Sequence, residues 1–139
     1  MRAVIDTGVL VSALIRKQGT AGDALCVRAL RDGRFTAIYT TDIIVEIIDV
    51  LGRAGFRTKY HIEPDDITAL VNLIRLRGEL VADPARKVTA CRDPKDDKFL
   101  EAALAAQTDC IVSGDADLLD MTAFEEIPIL RPAEFLARL

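Results

Sequence analysis

Tryptophan is missing from this 139-residue chain, aromatic residues make up only 5%, and His61 is the single histidine. The three cysteines, Cys26, Cys91 and Cys110, are widely spaced, with no CxxC pair and no Cys/His cluster. This excludes a zinc site of the usual ligand spacing and argues against a Cys–His nucleophile pair. Scattered thiols, odd in number, read as buried side chains in a reducing compartment rather than a disulfide framework. No apolar run reaches the ~18–20 residues that span a bilayer. The N-terminus enters a strand-like segment directly, without the basic-then-apolar pattern of a secretion signal. A cytoplasmic protein without membrane contact is expected. Cationic excess is missing too, with 18 Lys and Arg against 22 Asp and Glu, a formal net charge of −4. That argues against binding nucleic acid through a broad basic surface. It leaves room for acids gathered around a metal, which lower the net charge in the same way.

What is present is an ordinary globular composition, 50% hydrophobic and 29% charged, at a length that fits one domain over residues 1–139. Strand and helix signals alternate along it. Ala3-Val4-Ile5 and Cys110-Ile111-Val112 are continuous apolar runs, as expected of strands buried on both faces of a parallel sheet. Thr7 to Ile15 is short and apolar, and a loop is expected at 16–19. Thr20 to Arg31 reads as a helix stopped by Asp32-Gly33, and Phe35 to Thr40 is rich in strand formers. Thr41 or Asp42 is suited to cap a helix from Ile43 to about Leu51.

Phe56 to Glu63 reads as irregular. Pro64-Asp65-Asp66 opens a helix with an apolar face of Ile67, Leu70, Val71, Ile74 and Leu76, ended by Gly78. Leu80-Val81 and Val88 suggest a short strand broken by Asp83-Pro84. Residues 91–96 form a loop before a helix containing Phe99 and Leu100, and a strand at 128–130 and a helix from Pro132 close the chain. Alternating elements of this kind predict an α/β fold, three layers (α/β/α) around a mostly parallel sheet.

Ligands of open α/β sheets bind at the carboxyl ends of the strands, and acids stand at those places. Asp6 follows the first strand and Asp115 the strand at 110–112; Glu46 lies on the middle helix, and Asp96 sits where a loop becomes a helix. Each has a plainer alternative. Asp6 and Asp96 are in positions for helix caps. Glu46, with Asp42 and Asp49 at helical spacing, fits the solvated stripe of its helix. Asp97 points about 100° away from Asp96, and Asp117 either shares the role of Asp115 or starts the next helical turn. Gathered together, such acids repel and their pKa values rise unless a cation neutralises them. Oxygen-only ligands favour Mg²⁺ or Mn²⁺. A haloacid-dehalogenase-type phosphatase also places Asp after strand one, but it needs a second Asp two residues on, where this chain has Gly8.

Val4-Ile5-Asp6-Thr7, the run from Cys91 to Leu100 (CRDPKDDKFL) and the run from Ser113 to Leu119 (SGDADLL) together resemble the PIN-domain ribonucleases, in particular the VapC-like toxins of toxin–antitoxin systems. The resemblance covers essentially the whole chain. It implies Mg²⁺-dependent hydrolysis of RNA with Asp6, Glu46, Asp96 and Asp115 as catalytic residues. Asp6, Asp96 and Asp115 would hold the metal, Glu46 would position or deprotonate the attacking water or bind a second ion transiently, and Thr7 and Ser113 would support the site. It also implies an RNA substrate, an antitoxin partner and a homodimer. Gly8 departs from it, since relatives commonly carry Asn there. Substrate phosphates need cations at the rim, for which Arg53, Arg57, Lys59 and His61, or Arg92, Lys95 and Lys98, are candidates; a solvated face is the plainer reading of both groups. A non-catalytic, oligomeric PIN-like interaction module is the alternative function.

Overall fold

The computed structural model describes residues 1–15, 22–82, 84 and 86–139. The loop expected at 16–19, the expected helix start at Thr20 and Asp83 of the expected strand break lie outside the described residues.

Six strands form one sheet: β1 (Arg2–Ile5), β2 (Thr36–Tyr39), β3 (Gly78–Leu80), β4 (Cys110–Val112), β5 (Ala123–Phe124) and β6 (Ile127–Leu130). Their order is β3-β2-β1-β4-β6-β5, and every pairing is parallel except that of β5 with β6. The mostly parallel α/β architecture expected from the alternation is therefore present. Successive strands run outward from β1 to β2 and β3, while β4 and β6 add on the opposite side. The order thus reverses between β1 and β4, a topological switch point where ligands of α/β folds bind. Ala3, Val4, Ile111 and Val112 are fully buried there. A strand apolar on both faces needs cover on both, and burial of each of the Val and Ile side chains contributes roughly 1.5–3 kcal/mol.

The helices are α1 (Thr7–Ile15), α2 (Gly22–Arg31), α3 (Thr41–Gly52), α4 (Ala54–Tyr60), α5 (Pro64–Arg77), α6 (Asp97–Ala106), α7 (Ala116–Leu119) and α8 (Pro132–Ala137). α2 packs against α1, α5 and α8, whereas α6 packs on β1, β2 and β4. No helix among the described residues is long and apolar enough to cross a membrane.

Several local expectations are corrected. Thr40, not Thr41 or Asp42, caps α3, its hydroxyl accepting from the Ile43 amide at 3.3 Å. Extended backbone at Thr40 frees its side chain to fold over the first turn, as a cap requires. The segment read as irregular, 56–63, is largely helical as α4, which ends on His61 in the left-handed conformation at φ 54°. That helix buries no residue fully, so no apolar periodicity announced it. Leu76 does not join the apolar face of α5 but is 75% exposed. Val88 is buried yet lies outside any strand, its amide donating to Glu101 Oε2 at 3.1 Å. Gly78 passes from α5 into β3 with no intervening loop. A Cβ there would stand 2.3 Å from the Ile74 carbonyl oxygen and 2.6 Å from that of Ala37, so only glycine fits.

Candidate active site

Asp6 stands one residue beyond β1, and its amide still donates to the Val112 carbonyl at 3.0 Å, as the Ser113 amide does to Leu130 at 3.0 Å. The backbone ladder thus carries both residues to the carboxyl edge of the sheet on either side of the switch point. Asp6 Oδ1 accepts from the Val9 amide at 3.1 Å and so caps α1, while Oδ2 accepts the Ser113 hydroxyl proton. The capping role and the site position meet in one side chain. Burial raises the Asp6 pKa, opposed by donors from Ser113, Val9 and Gly8, and Asp115 raises it further. Ser113 is fully buried. Its oxygen also accepts from the Asp115 amide at 3.0 Å, so a single hydroxyl joins the ends of the two strands.

Asp115 is exposed and caps α7, Oδ1 accepting from the Asp117 amide at 2.9 Å. Asp117 itself is paired with Arg92 at 3.2 Å. Asp96 closes a 3-10 turn, Pro94–Asp96, and is half-buried; its own carboxylate caps nothing, because Asp93 accepts from the Lys95 amide instead. Burial, then the nearby charges of Asp115, Asp93 and Asp6 and a hydrogen bond with Asp115, push the Asp96 carboxyl up to about 6. Asp97 has turned away. It is buried, and its Oδ1 accepts from the amides of Ala90 and Cys91 at 3.1 and 2.8 Å. Burial works to raise its pKa, but donors from Cys91 and Ala90 outweigh it and hold the carboxyl below its ordinary value. Asp97 thus fixes the segment before α6 and leaves Asp96 to the site.

Glu46 comes from α3, between the buried Ile43 and Ile47. It is half-buried, whereas Asp42 and Asp49 on the same helix are exposed. Glu46 Oε1 accepts from Lys98 Nζ at 2.8 Å and Oε2 from the Thr7 hydroxyl at 2.5 Å. Four elements therefore bring Asp6, Glu46, Asp96 and Asp115 to the lining of one cleft of about 540 Å³. Asp23, in the first turn of α2, lines it as well. Neither a strand end nor a motif marks Asp23 in the sequence, so nothing there pointed to it. A second groove, of about 550 Å³, runs among α1, α2 and α5. Apolar side chains such as Leu10, Leu14 and Leu73 dominate it and none of the four acids enters it, so convergence of charge, not volume, distinguishes the first.

Oxygen-only donors, two of which (Asp6 and Asp96) have their pKa raised by burial and by the charge of Asp115, fit a hard divalent cation in kind. Among the described residues, no three His, Cys, Asp or Glu side chains stand as a ready-made metal cage. The thiols offer no alternative chemistry, since burial pushes Cys26 and Cys91 up to about 12 and Cys110 to about 11.

The expected cationic rim is only partly there. Arg53 pairs with Asp49 at 3.1 Å, Arg57 donates to the Ile62 carbonyl at 3.2 Å, and Lys59 lies over the Tyr60 ring. With His61 terminating α4, these four serve their own helix and do not line the cleft. Lys95 is exposed beside Asp96, and Lys98 lies inward against Glu46.

The family model of the PIN domain matches residues 2–117, and the chain belongs to that family. No curated protein matches it. Among solved structures, it is similar to a chain of VapBC2 from Rickettsia felis, crystallised bound to a DNA fragment from the promoter. The TM-score is 0.58 at 11% identity, over 94% of this chain and 98% of that one. At that identity the likeness concerns the fold.

Proposed function

We propose that this chain is a metal-dependent endoribonuclease that hydrolyses RNA phosphodiester bonds and serves as the toxin of a toxin–antitoxin pair. One observation carries the reading: Asp6, Glu46, Asp96 and Asp115, from four separate elements, line a single cleft at the carboxyl edge of β1 and β4. PIN domains are generally nucleases, and the similar Rickettsia felis structure is a VapBC2 assembly, which supports an antitoxin partner. A homodimer in the cytoplasm is part of the same reading.

Asp6, Asp96 and Asp115 would hold Mg²⁺ or Mn²⁺, which supplies hydroxide near neutral pH and offsets charge on the phosphate. Glu46 orients the attacking water. Ser113 fixes Asp6 and the Asp115 backbone relative to each other, and Thr7 fixes Glu46. Lys95, exposed beside Asp96, would meet substrate phosphate at the rim, whereas Arg92 is already paired with Asp117. Without cation, the cleft repels RNA.

The test is cleavage of RNA by purified protein with Mg²⁺, Mn²⁺ or chelator, comparing wild type with folded Asp6→Asn and Asp96→Asn. Loss of cleavage with chelator and in both variants supports the reading; cleavage unchanged in the variants refutes it. The alternative reading is a non-catalytic, oligomeric interaction module. That reading predicts no heat of Mg²⁺ binding in calorimetry, whereas the nuclease reading predicts binding that Asp6→Asn abolishes.

A further inference from the structure

Lys98 sits two residues beyond Asp96 on α6 and turns into the protein rather than out to solvent. Its ammonium lies 2.8 Å from Glu46 Oε1, and the two side chains are each only 21% exposed. The Thr7 hydroxyl holds the other oxygen of Glu46. Both carboxylate oxygens are thus engaged by donors from two other elements, α1 and α6. Asp96 and Asp6, by contrast, are not neutralised by any cation among the described ion pairs. Of the acids lining the cleft, Glu46 is paired with a cation, while Asp6, Asp96, Asp115 and Asp23 have no cationic partner among the described residues.

We propose that Lys98 is a positioning residue that, together with Thr7, keeps Glu46 out of the metal shell of Asp6, Asp96 and Asp115 and reserves it for the attacking water. This rests on the metal-dependent nuclease reading. The Lys98 charge offsets that of Glu46, so a divalent cation held by Asp6, Asp96 and Asp115 meets no uncompensated charge from Glu46. A carboxylate has about four lone-pair positions, so Glu46 with two donors in place still accepts a proton from water. Without Lys98 one Glu46 oxygen is released and the cleft gains one uncompensated negative charge. The released carboxylate then becomes a competing ligand. Metal binding tightens while hydrolysis slows, because the acid that oriented the water has moved to the cation.

The experiment is calorimetric titration of Mg²⁺ into wild type, Lys98→Met, Lys98→Arg, Glu46→Gln and the Lys98→Met/Glu46→Gln double variant, with RNA cleavage measured in parallel. Lys98→Met is expected to bind Mg²⁺ at least about threefold tighter, within the range of coupling between contacting residues, and to cleave more slowly. Glu46→Gln alone leaves the Lys98 charge uncompensated and should weaken Mg²⁺ binding, though less than Asp6→Asn does, and in the Lys98→Met background it should remove the gain. Lys98→Arg, which keeps the charge, should return both measures toward wild type. Unchanged or weaker Mg²⁺ binding in Lys98→Met overturns the proposal, as does a Glu46→Gln loss as large as that of Asp6→Asn. The latter comparison holds even if Lys98→Met fails to fold. Wild type that neither binds Mg²⁺ nor cuts RNA overturns the nuclease reading itself, whereas wild type that does both while Lys98→Met matches it overturns only the role of Lys98.

Discussion

Replacing Ser113 with alanine removes one oxygen that serves two strand ends. Ser113 is fully buried and donates to Asp6, itself 5% exposed, while accepting from the Asp115 amide. Loss of a hydrogen bond to a buried carboxylate costs about 1.5–3 kcal/mol, and the Asp115 amide, near solvent, adds at most a few tenths. Alanine leaves almost no cavity, so the expected loss is about 2–3 kcal/mol. At about 2.1 cal/mol/K of unfolding entropy per residue, that lowers the Tm by roughly 7–10 °C. Urea unfolding with chelator, followed by circular dichroism, measures it. The pH dependence has a definite sign. Burial holds the Asp6 pKa above the unfolded value of 3.8, so the folded state binds its proton more tightly. Stability contributed by that group is present in acid and is lost as pH rises through the folded pKa. Without Ser113 that pKa moves higher still, so the deficit of Ser113→Ala should be larger at pH 7.5 than at pH 5. Thr108 is the control. Its hydroxyl is buried without a hydrogen-bond partner among the described residues, so Thr108→Val should be neutral or stabilising by about 1 kcal/mol. A Ser113→Ala loss below about 0.5 kcal/mol, or one that grows toward acid, refutes the reasoning.

Mg²⁺ affinity should weaken as pH falls below about 6, where Asp96 takes up a proton the ion must displace, approaching tenfold per pH unit if one proton is exchanged; a flat affinity between pH 5 and 7.5 contradicts this. Asp97→Ala should destabilise by about 1–3 kcal/mol by leaving the Ala90 and Cys91 amides without their acceptor. Faster hydrogen exchange at those two amides is its signature, and protection like that of wild type counts against it. Gly8→Ala gains helix propensity of about 1 kcal/mol, yet its Cβ would stand 3.1 Å from Asp6 Oδ1. Unchanged stability with Mg²⁺ binding weakened a few-fold is expected, and unchanged Mg²⁺ binding would show that Asp6 accommodates the methyl group.

The parallel sheet was legible because its central strands are apolar on both faces, and Cys110–Val112 needs no context to be read as buried strand. Strand ends in turn made Asp6 and Asp115 visible. α4 escaped because a helix that buries no residue fully writes no 3.6-residue period. β5, two residues long and half of a reversed pair, was too short for any period to register. Charge partners were the least legible. Arg53 and Lys98 look alike in sequence as basic residues near an acidic helix. One spends its charge on Asp49 four residues earlier, the other on Glu46 fifty-two residues away, and only the packing of α6 beside α3 separates them.

The same geometry explains why helix capping and site chemistry did not have to compete. A strand end that leads straight into a helix concentrates free backbone N–H groups, and an acid placed there is held by them whether or not a ligand is bound. Asp6 has donors on both oxygens and Asp115 on one, so these two are set by the fold itself. Asp96 has no such anchor. Its neighbours Asp93 and Asp97 each accept from backbone amides, whereas Asp96 caps nothing and stands half-buried near other carboxylates with its pKa raised to about 6. Two acids fixed by the backbone and a third hydrogen-bonded to one of them give a cleft whose donors suit a cation. What positive charge would supply to such a site is relief of the burial and carboxylate repulsion that raise the Asp96 pKa.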